Sequence, residues 1–195
     1  AMDAYNKVIE MKGFDIDYAA YQKAISYGFV GKNDRKIEDL NSFIKTYPKS
    51  QFRDDAQYEL GNTYLAEKKE DLALKSYDQL INESKNGSYA AKANLRQGLI
   101  YYNSKKDELA LAKFKKIAAE YPNTPEALEA VTTARLIYVD NGKVSEYATW
   151  VKTLNFVDIS DADLDNDTYE SAEKQYLQNN IKQSIPSFKS YISSF

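Results

Sequence analysis

The chain has 195 residues, 43% of them hydrophobic and 28% charged, a balance that excludes disorder by composition and suits one ordinary domain or an array of small units. Its 26 Lys and Arg against 29 Asp and Glu leave a net charge of −3 without a basic cluster, which argues against a nucleic-acid surface. Cys and His are both absent, which removes thiol nucleophiles, Cys or His zinc sites and every imidazole dyad or triad.

With only seven Gly and four Pro, the breakers are few and helices are favoured. No apolar run approaches the roughly 18 to 20 residues needed to span a bilayer, and no signal peptide is seen. In chain order, Tyr5 to Glu10 reads as the end of a helix with no partner helix before it, giving an incomplete unit at 1–12. Residues 15–30 and 34–46 form a helical pair closed by Tyr47-Pro48, a unit over 15–48. The pattern is clearest in 54–86. There Asp54-Asp55 suit a helix N-terminus, and Ala56, Leu60, Tyr64 and Leu65 form an apolar stripe. Glu67 to Glu70 is the turn, and Leu72, Ala73, Tyr77, Leu80 and Ile81 form the second stripe. Asn86-Gly87 tolerates the left-handed conformation that ends a helix.

The unit at 88–122 repeats the plan. Ala91, Leu95, Gly98, Leu99 and Tyr102 lie on its first helix, with Leu109, Ala110, Phe114, Ile117 and Ala118 on its second. Tyr121-Pro122 closes it, since Pro cannot continue a helix. Residues 125–140 and 143–155 form the next pair, in a unit over 125–156, with a turn at Asn141-Gly142. An acidic connection from Asp158 to Asp167 then leads into a last pair at about 168–179 and 182–195, the unit 168–195. Both ends look cut, and the chain reads as a fragment of a longer array.

The units share a step. Tyr27, Tyr64, Tyr101 and Tyr138 are 37 residues apart, as are Leu40, Tyr77 and Phe114, and the pairs Gly61/Gly98 and Ala73/Ala110. A fixed period of this size means stacked supersecondary units, each burying its apolar face against a neighbour. The motif Leu60-Gly61-x-x-Tyr64 with Ala73-x₃-Tyr77, and Gly98-x-x-Tyr101 with Ala110-x₃-Phe114 and Pro122, resembles the tetratricopeptide repeat. The departures are Gln57 for Trp, Lys85 for Pro, Gln97 for Leu, Ala24 and Arg135 for Gly, and Lys36 for the small residue.

That resemblance implies an all-α, right-handed superhelical α-solenoid of about five helix-turn-helix hairpins, a single array over 1–195 with incomplete or divergent ends. The loops Tyr47-Pro48-Lys49-Ser50 and Tyr121-Pro122-Asn123-Thr124 look like repeats of bacterial cell-envelope proteins. Those include the lipoprotein of the β-barrel assembly machinery and the Tol-associated cell-division coordinator, and the C-terminal stretch looks like Bacteroidetes repeat proteins. A periplasmic or outer-membrane-associated location is the expectation.

The resemblance also implies a function, a non-enzymatic scaffold that takes a partner peptide or helix on its concave face. The family places Tyr18, Tyr21, Ile25, Phe29, Tyr58, Asn62, Leu65, Leu95, Leu99 and Tyr102 on that face. Tyr and large apolar residues are the types that anchor partners, although adjacent hairpins can bury the same side chains. The carboxylate clamp of chaperone-binding members is not matched, since Tyr58 and Leu95 stand where Lys and Asn are needed and only Asn62 agrees. The periodic Tyr27, Tyr64, Tyr77, Tyr101 and Tyr138 read as packing between helices.

A structural or regulatory spacer in a larger protein is an alternative function. Another is a small-molecule or glycan pocket using Tyr, Trp150 and Asn side chains. No cofactor, no metal and no catalytic pair is expected, nor nucleic acid as a partner. End hairpins without polar caps suit end-to-end self-association. Asp163-x-Asp165-x-Asp167 has the first spacings of a calcium loop, but Thr168 replaces the required Gly and Lys174 the bidentate Glu. The plainer reading is an acidic loop at the N-terminus of a helix starting near Thr168.

Overall fold

The computed structural model describes residues 2–11, 14–84 and 87–194, and among these it contains eleven helices and no strand. The helices are α1 (Met2–Glu10), α2 (Ile16–Phe29), α3 (Asn33–Thr46), α4 (Arg53–Ala66), α5 (Glu70–Glu83) and α6 (Ser88–Asn103). They continue with α7 (Asp107–Glu120), α8 (Pro125–Asp140), α9 (Val144–Val151), α10 (Asp161–Leu177) and α11 (Ile181–Ser194). None is long and apolar enough to cross a membrane. The fold is an all-α solenoid of helical hairpins. Ala1, Lys12, Gly13, Lys85, Asn86 (read above as a helix end) and Phe195 lie outside the described residues.

The hairpin turns obey the 37-residue step more strictly than the helices do. Gly31, Lys68, Lys105, Gly142 and Asn179 all have left-handed φ, between 56° and 71°. Each closes its helix with the same two bonds. Lys68 N donates to the Leu65 carbonyl at 2.9 Å, and Lys69 N to the Tyr64 carbonyl at 2.8 Å. The equivalents of the second bond run from Lys32 to Tyr27, Lys106 to Tyr101 and Lys143 to Tyr138. This double closure satisfies the carbonyls that a helix end leaves free and reverses the chain within three residues. The periodic tyrosines are therefore periodic in their backbone role as well as in their rings.

Contacts divide the chain into two compact units, Ala1–Arg96 and Gln97–Phe195. In the first, α1 packs on α2, α2 on α3, α3 on α4 and α4 on α5. Ala24, Leu40, Phe43, Ala56 and Leu60 form a buried cluster there, with Tyr21, Ile25 and Phe52 packed against it. A Cβ on Gly61 would stand 2.5 Å from the Tyr77 ring, whose side chain is fully buried, so only Gly lets α4 approach α5. Ala73, also fully buried, provides the same closeness from α5.

In the second unit α7 packs on α8, α8 on α9 and α10, and α10 on α11. Gly98 meets the buried Phe114 ring as Gly61 meets Tyr77, again with a hypothetical Cβ at 2.5 Å. Thr124 caps α8 by accepting from Ala127 N at 3.1 Å, with Pro125 as the first helical residue, where its missing N–H costs nothing.

Two boundaries differ from the sequence reading. Helix α9 ends at Val151, not at 155. Helix α10 begins at Asp161, so the run Asp161 to Asp167 is helical and not a loop capping a helix near Thr168. Ser160 explains it: its Oγ accepts from Asp163 N at 3.1 Å, while Asp163 Oδ2 accepts from Ser160 N at 2.9 Å. This reciprocal box starts the helix well before the point that apolar periodicity suggests. The Ser160 hydroxyl, which also donates to Asp163 Oδ2 at 2.6 Å, and then the Ser160 N–H hold the Asp163 carboxyl below its ordinary range.

Candidate functional site

Helices α2, α3 and α4 enclose a cleft of about 500 Å³ in the first unit. Its apolar wall is Ile25, Phe29 and Ala66, and its polar wall is Asn33, Lys36, Glu59 and Asn62. Phe29, in the last position of α2, is 85% exposed and is followed by the exposed Val30. An aromatic left this open beside a polar rim is the kind of group that anchors a partner.

The polar wall is fixed from within. Lys36 Nζ donates to Glu59 Oε2 at 2.7 Å, with the lysine side chain only 12% exposed. The tight space beside it is conceded by Gly28, where a Cβ would meet the lysine Cδ at 3.0 Å. Asn62 is held at both ends: its Nδ2 donates to Glu59 Oε1 at 3.2 Å, and its Oδ1 accepts from the Tyr77 hydroxyl at 2.8 Å. The Tyr21 hydroxyl is pushed up to about 12 by burial, with the negative charges of Asp55 and Glu59 adding to it. It stays neutral and can both donate and accept.

Four of the ten groove residues expected from the sequence therefore meet in one cleft: Tyr21, Ile25, Phe29 and Asn62. Tyr18 is exposed, with its ring 5.4 Å from Phe52. Tyr58 is half-buried between Tyr77 at 5.9 Å and Tyr89 at 5.5 Å, and its hydroxyl accepts from Arg96 Nε at 3.1 Å. Leu65 is half-buried, and Leu95 is buried. Leu99 and Tyr102 belong to the second unit and are half-buried, with the Lys105 ammonium 5.9 Å from the Tyr102 ring.

The acidic run forms no calcium loop. Asp163, Asp165 and Asp167 sit along α10, and no group of three or more acids converges on a cation site among the described residues. Asp167 instead faces α8, where Arg135 Nε donates to its Oδ1 at 2.7 Å and Arg135 Nη2 bonds the same oxygen. Nη2 also reaches Glu170 Oε2 at 3.2 Å. The hydrogen bond to Asp167 holds the guanidinium above its ordinary range. In the repeat pattern Arg135 counts only as a lost Gly. The signal for its role is the acid 32 residues later, one hairpin along.

The tetratricopeptide repeat profile matches residues 18–50, 55–86 and 92–124, together about half of the chain. No curated protein matches the sequence. Solved structures share the fold at low identity. The crystal structure of MamA is 18% identical with a TM-score of 0.60, over 92% of this chain and 89% of that one. The C-terminal part of a tetratricopeptide-repeat protein from Cytophaga hutchinsonii is 16% identical with a TM-score of 0.62, over 98% and 72%. YrrB, described as having an unusual peptide-binding site, is 14% identical with a TM-score of 0.59, over 99% and 93%. With three consecutive repeats matched and the hairpin geometry observed in each, the chain belongs to the tetratricopeptide repeat family.

Proposed function

We propose that the chain is a non-catalytic protein–protein interaction scaffold whose first unit takes an apolar-faced segment of a partner in the α2–α3–α4 cleft. The observation that carries this reading is Phe29, 85% exposed on a cleft of about 500 Å³ whose polar wall is already fixed by internal bonds. Preorganised walls lower the ordering cost of binding. Lys36 and Asn33 keep donors at the rim for partner carbonyls, and Phe29 with Ile25 supplies the apolar anchor. The peptide-binding site of YrrB supports the same use of this fold.

The test is calorimetric titration of a peptide selected from a displayed library. Phe29→Ala is expected to weaken binding at least tenfold while shifting Tm by less than about 2 °C, because an exposed side chain adds little to stability. Unchanged affinity in Phe29→Ala contradicts the cleft assignment.

The reading extends to a role in bacterial envelope assembly or maintenance. Tyr47-Pro48-Lys49-Ser50 and Tyr121-Pro122-Asn123-Thr124 support it through their likeness to envelope repeat loops. Fractionation of host cells tests this: the protein is expected with periplasmic or outer-membrane material, and recovery only with cytosol contradicts the placement.

A further inference from the structure

A second cleft, of about 350 Å³, lies wholly within the second unit, between α8, α9, the 152–160 connection and the start of α10. Its apolar lining is Leu128, Val131, Val157 and Ile159. Its charged lining is three carboxylates, Asp158, Asp163 and Asp167, against the single guanidinium of Arg135. Asp167 is 1% exposed, yet only one of its oxygens is used. Oδ1 takes both bonds from Arg135, while Oδ2 is buried with no hydrogen-bond partner. A buried carboxylate oxygen without a donor is costly, and its residue lines an open cleft with surplus negative charge, so a donor in the cleft reaches Oδ2 by a small turn of the Asp167 side chain.

We propose that this cleft binds a primary alkylammonium group, whose N–H donates to Asp167 Oδ2 and whose methylene stem lies against Leu128, Val131 and Ile159. A compact ammonium suits the site better than a second guanidinium. It brings three donors at a point and a flexible apolar stem, whereas a second guanidinium fork wants both carboxylate oxygens and Oδ1 of Asp167 is already taken by Arg135. Asp158, exposed at the mouth, adds long-range attraction that salt weakens. A metal ion is a poorer match, because no three acids converge there among the described residues. The site is independent of the first-unit cleft.

The experiment is an NMR titration of the whole chain with n-butylammonium chloride, with sodium butyrate and n-butanol as controls. Saturable shifts are expected at Leu128, Val131 and Ile159 with n-butylammonium, and none that saturate with either control. Asp167→Asn is expected to weaken binding at least tenfold. Asp158→Asn, a change at an exposed position, is expected to weaken it two- to fivefold and to flatten its salt dependence. Equal affinity for butanol, or shifts confined to other regions, overturns the proposal. So does unchanged affinity in Asp158→Asn together with either unchanged affinity or loss of fold in Asp167→Asn. A second arm uses N-acetyl-lysine-N-methylamide. If it binds as n-butylammonium does, the source is a lysine side chain of a protein, and if it fails while n-butylammonium binds, the source is a free amine.

Discussion

Lys68 and Lys105 hold left-handed φ of 57° and 56° at turns where the equivalent residues are Gly31, Gly142 and Asn179. A residue with a Cβ gives up about 1 to 2 kcal/mol in that region, partly offset because Gly loses about 0.5 to 1 kcal/mol more entropy on folding. Lys68→Gly and Lys105→Gly are therefore expected to raise stability by about 0.5 to 1 kcal/mol each, and Gly31→Ala to lower it by about 1 kcal/mol. Urea unfolding midpoints at constant slope check all three, and a loss in either lysine variant contradicts the turn geometry. The sequence hides this repeat. Lys carries no turn signal, so the 37-residue step is visible in Tyr64 and Tyr101 but not in the residues that reverse the chain. Gly61 and Gly98 are legible because a Gly inside an apolar helical stripe costs helix stability and so marks a place where another helix comes close.

At the scale of the helix, legibility follows the number of independent signals. The bounds of α2, α3 and α8 fall within one residue of those expected, while α5 ends at Glu83, ahead of the expected Asn86-Gly87. Helix α10 is misplaced by the sequence reading because its first two turns are acidic and carry no apolar stripe, so Asp161 to Asp167 reads as a connection. The information lies in Ser160 and Asp163, a three-residue spacing that closes a capping box. Arg135 shows the same limit in another form. At the register where Gly98 lets Phe114 approach, Arg135 reaches from α8 to Asp167 and Glu170 of α10, while Tyr138 keeps the α8–α9 contact aromatic through Tyr147 and Trp150. A pattern scored by agreement with the repeat sees this as a loss.

Within each compact unit, polar bonds tie one hairpin to the next along with the apolar layers. Asn33 Nδ2 donates to Glu67 Oε1 at 2.7 Å in the first unit, and Asn141 Nδ2 donates to Asp107 Oδ2 at 2.8 Å in the second, both across 34 residues. The family and the hairpin plan are readable from the period alone, because stacking fixes which residue types recur. The cleft is readable only in part. Tyr21, Ile25, Phe29 and Asn62 line it as a shared face, while Leu95 recurs in the same register yet is consumed by packing. Exposure at a given register depends on the neighbour's side chains, which a single repeat does not contain. The most direct test is a methyl-labelled NMR spectrum recorded with and without a library-selected peptide. The Ile25, Thr63 and Ala66 methyls, which line the cleft, are expected to shift with saturation while those of the fully buried Ala73, Ala110 and Ile117 stay in place. Saturating shifts confined to the second unit, with Ile25 and Thr63 unmoved, contradict the account.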